Sequence, residues 1–447
     1  MDYASVTMAA TGTATPADVP GPRLPRSLQS LIGVIRPFDS RIALRNRFGP
    51  VFATNDVIVG RMFHIADRAL IEQMFKWKPA QYNVGEPRQV MEPVTGPSSI
   101  LLLDGARHMR MRKLMLPPFH GEAIARYADL IEQITNREID GWRAGQSIRT
   151  RSVGQTITME VIIRAVFGIT DPARVAELRR VLPRLSSINP ILGIEAVRKD
   201  LGPHSPWGRF VRDRDRADEL IYEEIDQRRR DSNGAVRDDI LSLLLSARDE
   251  HGDPLTDREL RDELITILLA GHETTATSIG WAFERLLRNP AALQRLTAEV
   301  KAGEGDYMDA VIKETLRVRP VVTEVFRAPA EAVELGGYRF DPGVQMAASI
   351  LLVQYDPELY PPDPHAFRPE RFLDGAPEPY TWVPFGGGVR RCLGAAFAQL
   401  EMKIVIAAIL RRARLRAPRA RGERPRFRGV TVLPSRGGEA VVERVAS

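Results

Sequence analysis

One cysteine in 447 residues, Cys392, excludes an intramolecular disulfide and any multi-cysteine zinc or iron–sulfur site. Long apolar runs are missing too. A membrane-spanning helix needs ~18 to 20 consecutive apolar residues, and the longest runs here, near Leu264–Ala270 and Ile404–Leu410, have the length of buried helix segments. The N-terminus has no basic segment ahead of an apolar core and carries Asp2 and Asp18, so it does not read as a signal peptide, and a cytoplasmic setting is expected. Neither charge sign dominates: 63 basic against 57 acidic residues leave +6, which makes no case for a nucleic-acid partner.

What is present is ordinary for a folded chain, with 44% apolar and 27% charged residues. Residues 1–26, rich in Ala, Thr and Pro with Pro20-Gly21-Pro22, read as a flexible lead-in, and 27–447 as one domain without linker or repeat. Thr256-Asp257-Arg258-Glu259 is a capping box, and helical periodicity runs from it to Arg288 before Asn289-Pro290. At ~1.5 Å per residue such a helix is nearly 50 Å long. Its middle, Leu264–Ala270, is apolar on every face, so it must cross the core of a single large domain. Val51–Val59 with Arg61–Ile65, Ala332–Phe340 with a turn at Gly336-Gly337, and Met346–Val353 read as strands. The class is mainly α with a minor β portion.

Chemistry concentrates at Phe385-Gly386-Gly387-Gly388-Val389-Arg390-Arg391-Cys392-Leu393-Gly394. A thiol beside two arginines at the start of a helix is expected to ionise, and the glycines allow close approach of a flat partner. A lone cysteine is nonetheless more often a small buried hydrophobe, and no Lys-Ser/Thr follows the glycines to make a phosphate loop. Within the long helix, Ala270-Gly271-His272-Glu273-Thr274-Thr275 has low helix propensity and hydroxyls able to bond the preceding turn, consistent with a local widening or with an ordinary kink. Glu314 and Arg317 share a helix face at i, i+3, with Arg371 downstream, and His108 and Arg112 share one at i, i+4. Taken alone, these are surface pairs or a basic solvated face.

The cysteine segment resembles the Phe-x-x-Gly-x-Arg-x-Cys-x-Gly loop of the haem-thiolate monooxygenases, the cytochrome P-450 superfamily, at Phe385, Gly388, Arg390, Cys392 and Gly394. The hexapeptide at Ala270 is similar to that family's Ala/Gly-Gly-x-Asp/Glu-Thr-Thr signature, and Glu314, Arg317 and Arg371 to its buried core network. The resemblance covers about 30 to 440. It implies haem b (iron protoporphyrin IX) with Cys392 as the iron ligand, and His108, Arg112, Arg327 and Arg390 on the propionates. It also implies that Thr274 and Glu273 handle oxygen and protons. His272 is given no role. The activity implied is insertion of one atom of O2 into a small apolar organic substrate. Electrons would come from a separate ferredoxin or flavodoxin with its reductase, steered by Arg107, Arg110, Lys113 and Arg391, with the nine arginines of 411–428 as a competing surface. Rivals are a peroxide-using peroxygenase, which can dispense with the Glu273-Thr274 pair, and a haem carrier or sensor, which would need an output domain.

Departures are Thr323 where Pro is common, Glu324 after it, and Tyr355 where His or Arg is frequent; these bear on substrate contacts. The substrate pocket is expected at Val90, Met91, Val94, Thr266, Leu269, Ala270, Val321, Val322 and the turn near Val430.

Overall fold

The long helix starts where its capping box puts it: Glu259 N donates to Thr256 Oγ1 at 3.2 Å and Thr256 N to Glu259 Oε2 at 2.9 Å. The computed structural model describes residues 15–446 except 58, 85–86, 187–197, 199–200, 203, 231–237 and the side chains of 87–90 and 186. Seven of its helices matter here: α1 (Arg26–Ile35), α2 (Gly105–Met115), α3 (Thr150–Val161), α4 (Asp257–Leu286), α5 (Asp306–Val318), α6 (Ile350–Gln354) and α7 (Ala395–Arg412). The long helix is α4. Leu260, Leu264, Ile265, Leu268, Ile279, Phe283 and Leu286 along it are fully buried, so it does run through the core. α3 crosses it closely because both helices carry glycine at the crossing. A Cβ on Gly154 would lie 3.0 Å from Ala276 Cα, and one on Gly280 would lie 2.9 Å from Arg151 Cβ.

The β portion is small. Its strands are β1 (Val51–Asp56), β2 (Gly60–Ile65), β3 (Tyr82–Asn83), β4 (Ser147–Arg149), β5 (Glu324–Pro329), β6 (Val333–Leu335), β7 (Tyr338–Phe340), β8 (Gln345–Ser349), β9 (Ala413–Arg416), β10 (Pro425–Arg428), β11 (Thr431–Pro434) and β12 (Glu439–Val445). One five-stranded sheet has the order β1-β2-β8-β5-β3, and β4-β12-β9 make a second. The expected hairpin at 51–65 forms with Val51 opposite Ile65, and β6 and β7 turn at Gly336-Gly337. The strand expected over Met346–Val353 stops at Ser349. That residue's Oγ accepts from Leu352 N at 3.3 Å and starts α6. Residues 1–14 of the expected lead-in lie outside the described residues. The rest of it is tied down: Ala53 N donates to Pro20 O at 2.8 Å, and Gly21 sits so close to Ala53 O that a Cβ would lie 2.2 Å from it.

Glu324 is a sheet residue. Burial would raise its carboxyl, yet Arg41 at 3.2 Å and His64 at 2.8 Å pull it down to about 2. Tyr355 closes the end of α5 by donating to Val318 O at 2.6 Å and accepting from Arg319 at 2.8 Å. Two of the three departures from the family pattern, Glu324 and Tyr355, therefore serve the scaffold.

The pair Glu314 and Arg317 on α5 is fully buried. Arg317 Nε and Nη2 donate to the two carboxylate oxygens at 2.6 and 2.8 Å. Its remaining N–H groups reach Gln354 O at 2.8 Å, Pro364 O at 2.8 Å and Ala366 O at 3.0 Å. All five guanidinium donors are thus used. Arg368 N donates to Glu314 Oε1 at 2.8 Å, and Arg371 stands 3.7 Å from the same oxygen.

Removing Arg317 strands a buried carboxylate, which costs about 3–5 kcal/mol. Arg317→Ala is expected to unfold at clearly lower urea than wild type, and an unchanged midpoint would show the pair to be dispensable. A second prediction concerns Glu401 on α7, which is buried with Oε1 lacking a hydrogen-bond partner, and whose carboxyl burial pushes up to about 8. The unfolded chain ionises near ~4.3. The folded state therefore holds a proton that the unfolded state has released, and stability falls as pH rises from there through about 8. Urea midpoints at pH 5 and pH 8.5 should show a larger loss in wild type than in Glu401→Gln.

Candidate functional site

The cysteine loop is folded by its own backbone. Cys392 N donates to Phe385 O at 3.0 Å and Arg391 N to Gly388 O at 3.1 Å. Phe385 packs edge-on against Trp382, whose Nε1 donates to Lys313 O in α5 at 3.0 Å. The loop is therefore moored next to Glu314. Gly386 and Gly388 have positive φ (68° and 64°). Gly387 and Gly388 approach Phe75, where a Cβ would lie 2.2 Å from its ring and 2.1 Å from its carbonyl oxygen. Phe75, which sequence reasoning did not single out, thus explains two glycines that were expected to face a flat partner. Gly394 differs: a Cβ there would meet nothing within 4 Å, so the protein itself does not demand glycine at that position.

Cys392 is accessible although protein surrounds it, so its sulfur looks into an internal cleft. Helix α7 starts at Ala395, beyond the cysteine. Burial raises the thiol pKa, and only partly do the Gly394 N–H, Arg112 and Arg391 draw it down. This corrects the expectation of a free thiolate: in a desolvated pocket the charge needs a stronger partner than a helix end and two arginines.

The second family motif lies on α4. Between its buried ends, Ile267, Gly271 and Thr274 are half-buried and Ala270 is exposed, which places one accessible face at i, i+3, i+4, i+7. Thr274 Oγ1 donates to Ala270 O at 2.5 Å. The helix is continuous through this point, so no widening occurs; the hydroxyl bonds back one turn and buried neighbours hold the backbone. Glu273 does not face the cleft alone. Arg151 Nη2 donates to it, and Gln155 Nε2 donates to its Oε1 at 2.8 Å, both from α3. His272 turns away to Thr158 Oγ1 at 2.8 Å, as expected of a residue without a role.

At the cleft's edge, α2 and β5 bring cations together. His108 is buried with Nδ1 unpartnered. Burial and then the charges of Arg390, Arg112 and Arg327 push its pKa down to about 3, so the ring is neutral. Arg327 is buried, with Nε lacking a hydrogen-bond partner, and burial together with Arg390 lowers it to about 10. Arg327 lies 4.7 Å and Arg390 5.6 Å from the ring centre of Tyr82, a cation–π shelf that no sequence motif marks. Arg390 also donates to Leu103 O and, at 2.9 Å, to Asp104 Oδ1. Burial lowers the Arg112 guanidinium too.

These residues fit haem b. Clustered, desolvated cations with unpartnered donors on His108 and Arg327 match a buried dianion such as two propionates. The accessible Cys392 and the sterically free Gly394 beside it suit an iron ligand.

Other expected contacts come out differently. The Val90 side chain lies outside the described residues, and Met91, Leu269 and Val322 are half-buried. Val94, Thr266 and Val321 are buried in the protein, Thr266 Oγ1 donating to Ser99 Oγ at 2.7 Å. Val430 is 60% exposed on the β10–β11 hairpin. Arg110 is consumed by Asp249 at 2.6 Å and Glu259 at 2.8 Å, and Lys113 by Glu250 at 3.2 Å, because an acidic loop packs on α2. Arg107 and Arg391 stay exposed. Among the described residues no helix is long and apolar enough to cross a membrane.

Comparisons with known proteins agree with this geometry. The sequence model of the Cytochrome P450 family matches residues 29–441. The chain is 42% identical over 432 residues to cytochrome P450 135B1 of Mycobacterium tuberculosis, covering 95% of this chain and 91% of that one. It is 38% identical over 426 residues to cytochrome P450 135A1 of the same organism, covering 94% and 93%. The retinoic-acid-bound structure of cyanobacterial CYP120A1 shares the fold, with a TM-score of 0.76 at 24% identity over 90% of this chain and 93% of that one.

Arg327→Leu is expected to keep the helical circular dichroism of wild type and to lose several-fold of the haem retained on gel filtration, read as the ratio of Soret to protein absorbance. An unchanged ratio would confine Arg327 to its contacts with Phe326 and Tyr82.

Proposed function

The chain belongs to the cytochrome P450 family, the haem-b monooxygenases that take O2 and electrons from a redox partner, and from that premise we propose that Cys392 holds the iron while Glu273 and Thr274 manage protons for oxygen insertion. The observation that carries this reading is an accessible cysteine that protein surrounds, with Arg112 and Arg391 close enough to draw its thiol down and the desolvated cations Arg327 and Arg390 clustered around His108. Bound haem supplies the redox chemistry by which O2, two electrons and two protons become one inserted oxygen atom and one water.

The remaining work falls to side chains. Arg112, Arg327 and Arg390 would neutralise the propionates, and His108, being neutral, would add a hydrogen bond without adding a fourth charge. Since Thr274 donates its proton to Ala270 O, its oxygen lone pairs face the cleft as acceptors, which orders a water or a protonated oxygen there. Glu273, anchored to Arg151 and Gln155, joins this dry site to the far side of α4; swinging between those partners and Thr274 would carry protons inward. Ile267, Leu269, Met91 and Val322 are half-buried apolar residues suited to a small apolar substrate. The exposed cations Arg107 and Arg391 suit an acidic one-electron carrier, a ferredoxin or flavodoxin with its reductase, now without help from Arg110 and Lys113.

Two measurements test the reading. The reduced protein with CO should show the red-shifted Soret band of thiolate ligation, and Cys392→His should abolish it while haem remains bound; an unchanged band would remove Cys392 as ligand. Thr274→Ala should bind haem and substrate normally but divert reducing equivalents to peroxide, seen as excess NADH consumed per product formed. Full coupling in that variant would assign the proton work to another group.

A further inference from the structure

Arg151 has a second environment. It belongs to a cavity of about 530 Å³ formed by the start of α3, the β10–β11 hairpin and the turn before β12. Five of the twelve lining residues are arginines: Arg149, Arg151, Arg426, Arg428 and Arg436. The one acid among them, Glu439, is held by Arg436 at 3.0 Å and approached by Arg419 at 3.6 Å.

Strand alternation builds this surface. In β10, Phe427 turns into the cluster of Phe38, Leu351, Tyr355 and Val432. Arg426 and Arg428, two apart, project together on the other face. Glycines bring the hairpin's neighbouring turn against α3 and α4. A Cβ on Gly438 would lie 2.3 Å from Thr150 Oγ1 and 2.8 Å from Gly280 O, while Arg151 N donates to Gly437 O at 3.0 Å.

Several buried guanidinium groups elsewhere are taken up by carboxylates. Arg228 reaches Glu224 and Asp239, and Arg285 and Arg288 share Glu284. Among the described residues the guanidinium groups of Arg149, Arg426 and Arg428 make no hydrogen bond or ion pair, and Arg151 uses one N–H each on Thr277, Gln155 and Glu273. Concentrated positive charge in a concave site, with Leu433 and Pro434 as an apolar wall, is the arrangement that holds a multiply charged organic anion.

We infer that this cavity binds an organic phosphate carrying two or more negative charges, of the nucleoside diphosphate type, gripped by Arg149, Arg426 and Arg428 with Arg151 at its floor. A phosphate there competes with Glu273 for Arg151, so occupancy is read out at the carboxylate beside Thr274. This second part rests on the proton role proposed for Glu273, whereas the binding part does not.

Calorimetric titration of the haem-loaded protein with ADP, AMP and pyrophosphate tests the site. ADP should bind saturably, more weakly as salt is raised, and about tenfold or more weakly in Arg426→Glu/Arg428→Glu, with the CO spectrum unchanged. No saturable binding, or equal binding by the double variant, overturns the proposal. So does binding to phosphatidylglycerol vesicles that ADP fails to displace, which would make the arginines a lipid-facing surface. For the coupling, ADP should change the ratio of peroxide to product in wild type and leave it unchanged in Glu273→Gln. Binding of ADP with an unaltered wild-type ratio would separate the site from Glu273 and overturn the coupling alone.

Discussion

Arg317 carries a full charge to a place with no water, and the fold around it is arranged to use every one of its donors. Two go to Glu314 and three to carbonyls of residues 354, 364 and 366, the end of α6 and the loop that follows it. Each of those carbonyls would otherwise need its own partner, so one guanidinium fixes how the end of α6 and this loop pack on α5. Through Arg368 N, and through Trp382 bonded to Lys313 O, the same helix moors the segment that ends in Cys392. The buried pair thus helps to position Cys392, although neither member touches it.

The site itself sets two electrostatic demands against each other. Burial raises the Cys392 thiol and lowers Arg112 and Arg327, so each charged form is costly by itself. A metal for the sulfur and carboxylates for the arginines would relieve both costs, and haem b carries both. His108 shows the same logic from the other side. Burial first, and then the three neighbouring arginines, hold its ring in the neutral form.

On the other flank of α4, Glu273 links two sites through one arginine. Arg151 is nearly buried and bridges Thr277, Gln155 and Glu273, while its surroundings open to the arginine-lined cavity. The close approach that allows this bridge depends on Gly154 and Gly280, which leave room for α3 against α4.

Local patterns reached the mainly α class, the long central helix with its capping box and the β1–β2 hairpin, because each depends on residues within one turn or one strand. Family motifs likewise marked Cys392, Thr274, Glu273 and the Glu314–Arg317 pair. The sequence could not say what meets what. Arg110 and Lys113 look like free cations until residues 249, 250 and 259 arrive from more than a hundred positions away. Gly387 and Gly388 look like a flat ligand's cradle until Phe75 fills the space. Glu324 and Tyr355 look like substrate contacts until Arg41, His64 and Arg319 claim them. Charge state followed the same rule, since a thiol placed by motif beside two arginines still rises when the fold removes its water. Helix, strand and motif are set by neighbours along the chain, whereas ion pairs, steric room and desolvation are set by neighbours in space, which only the tertiary structure supplies.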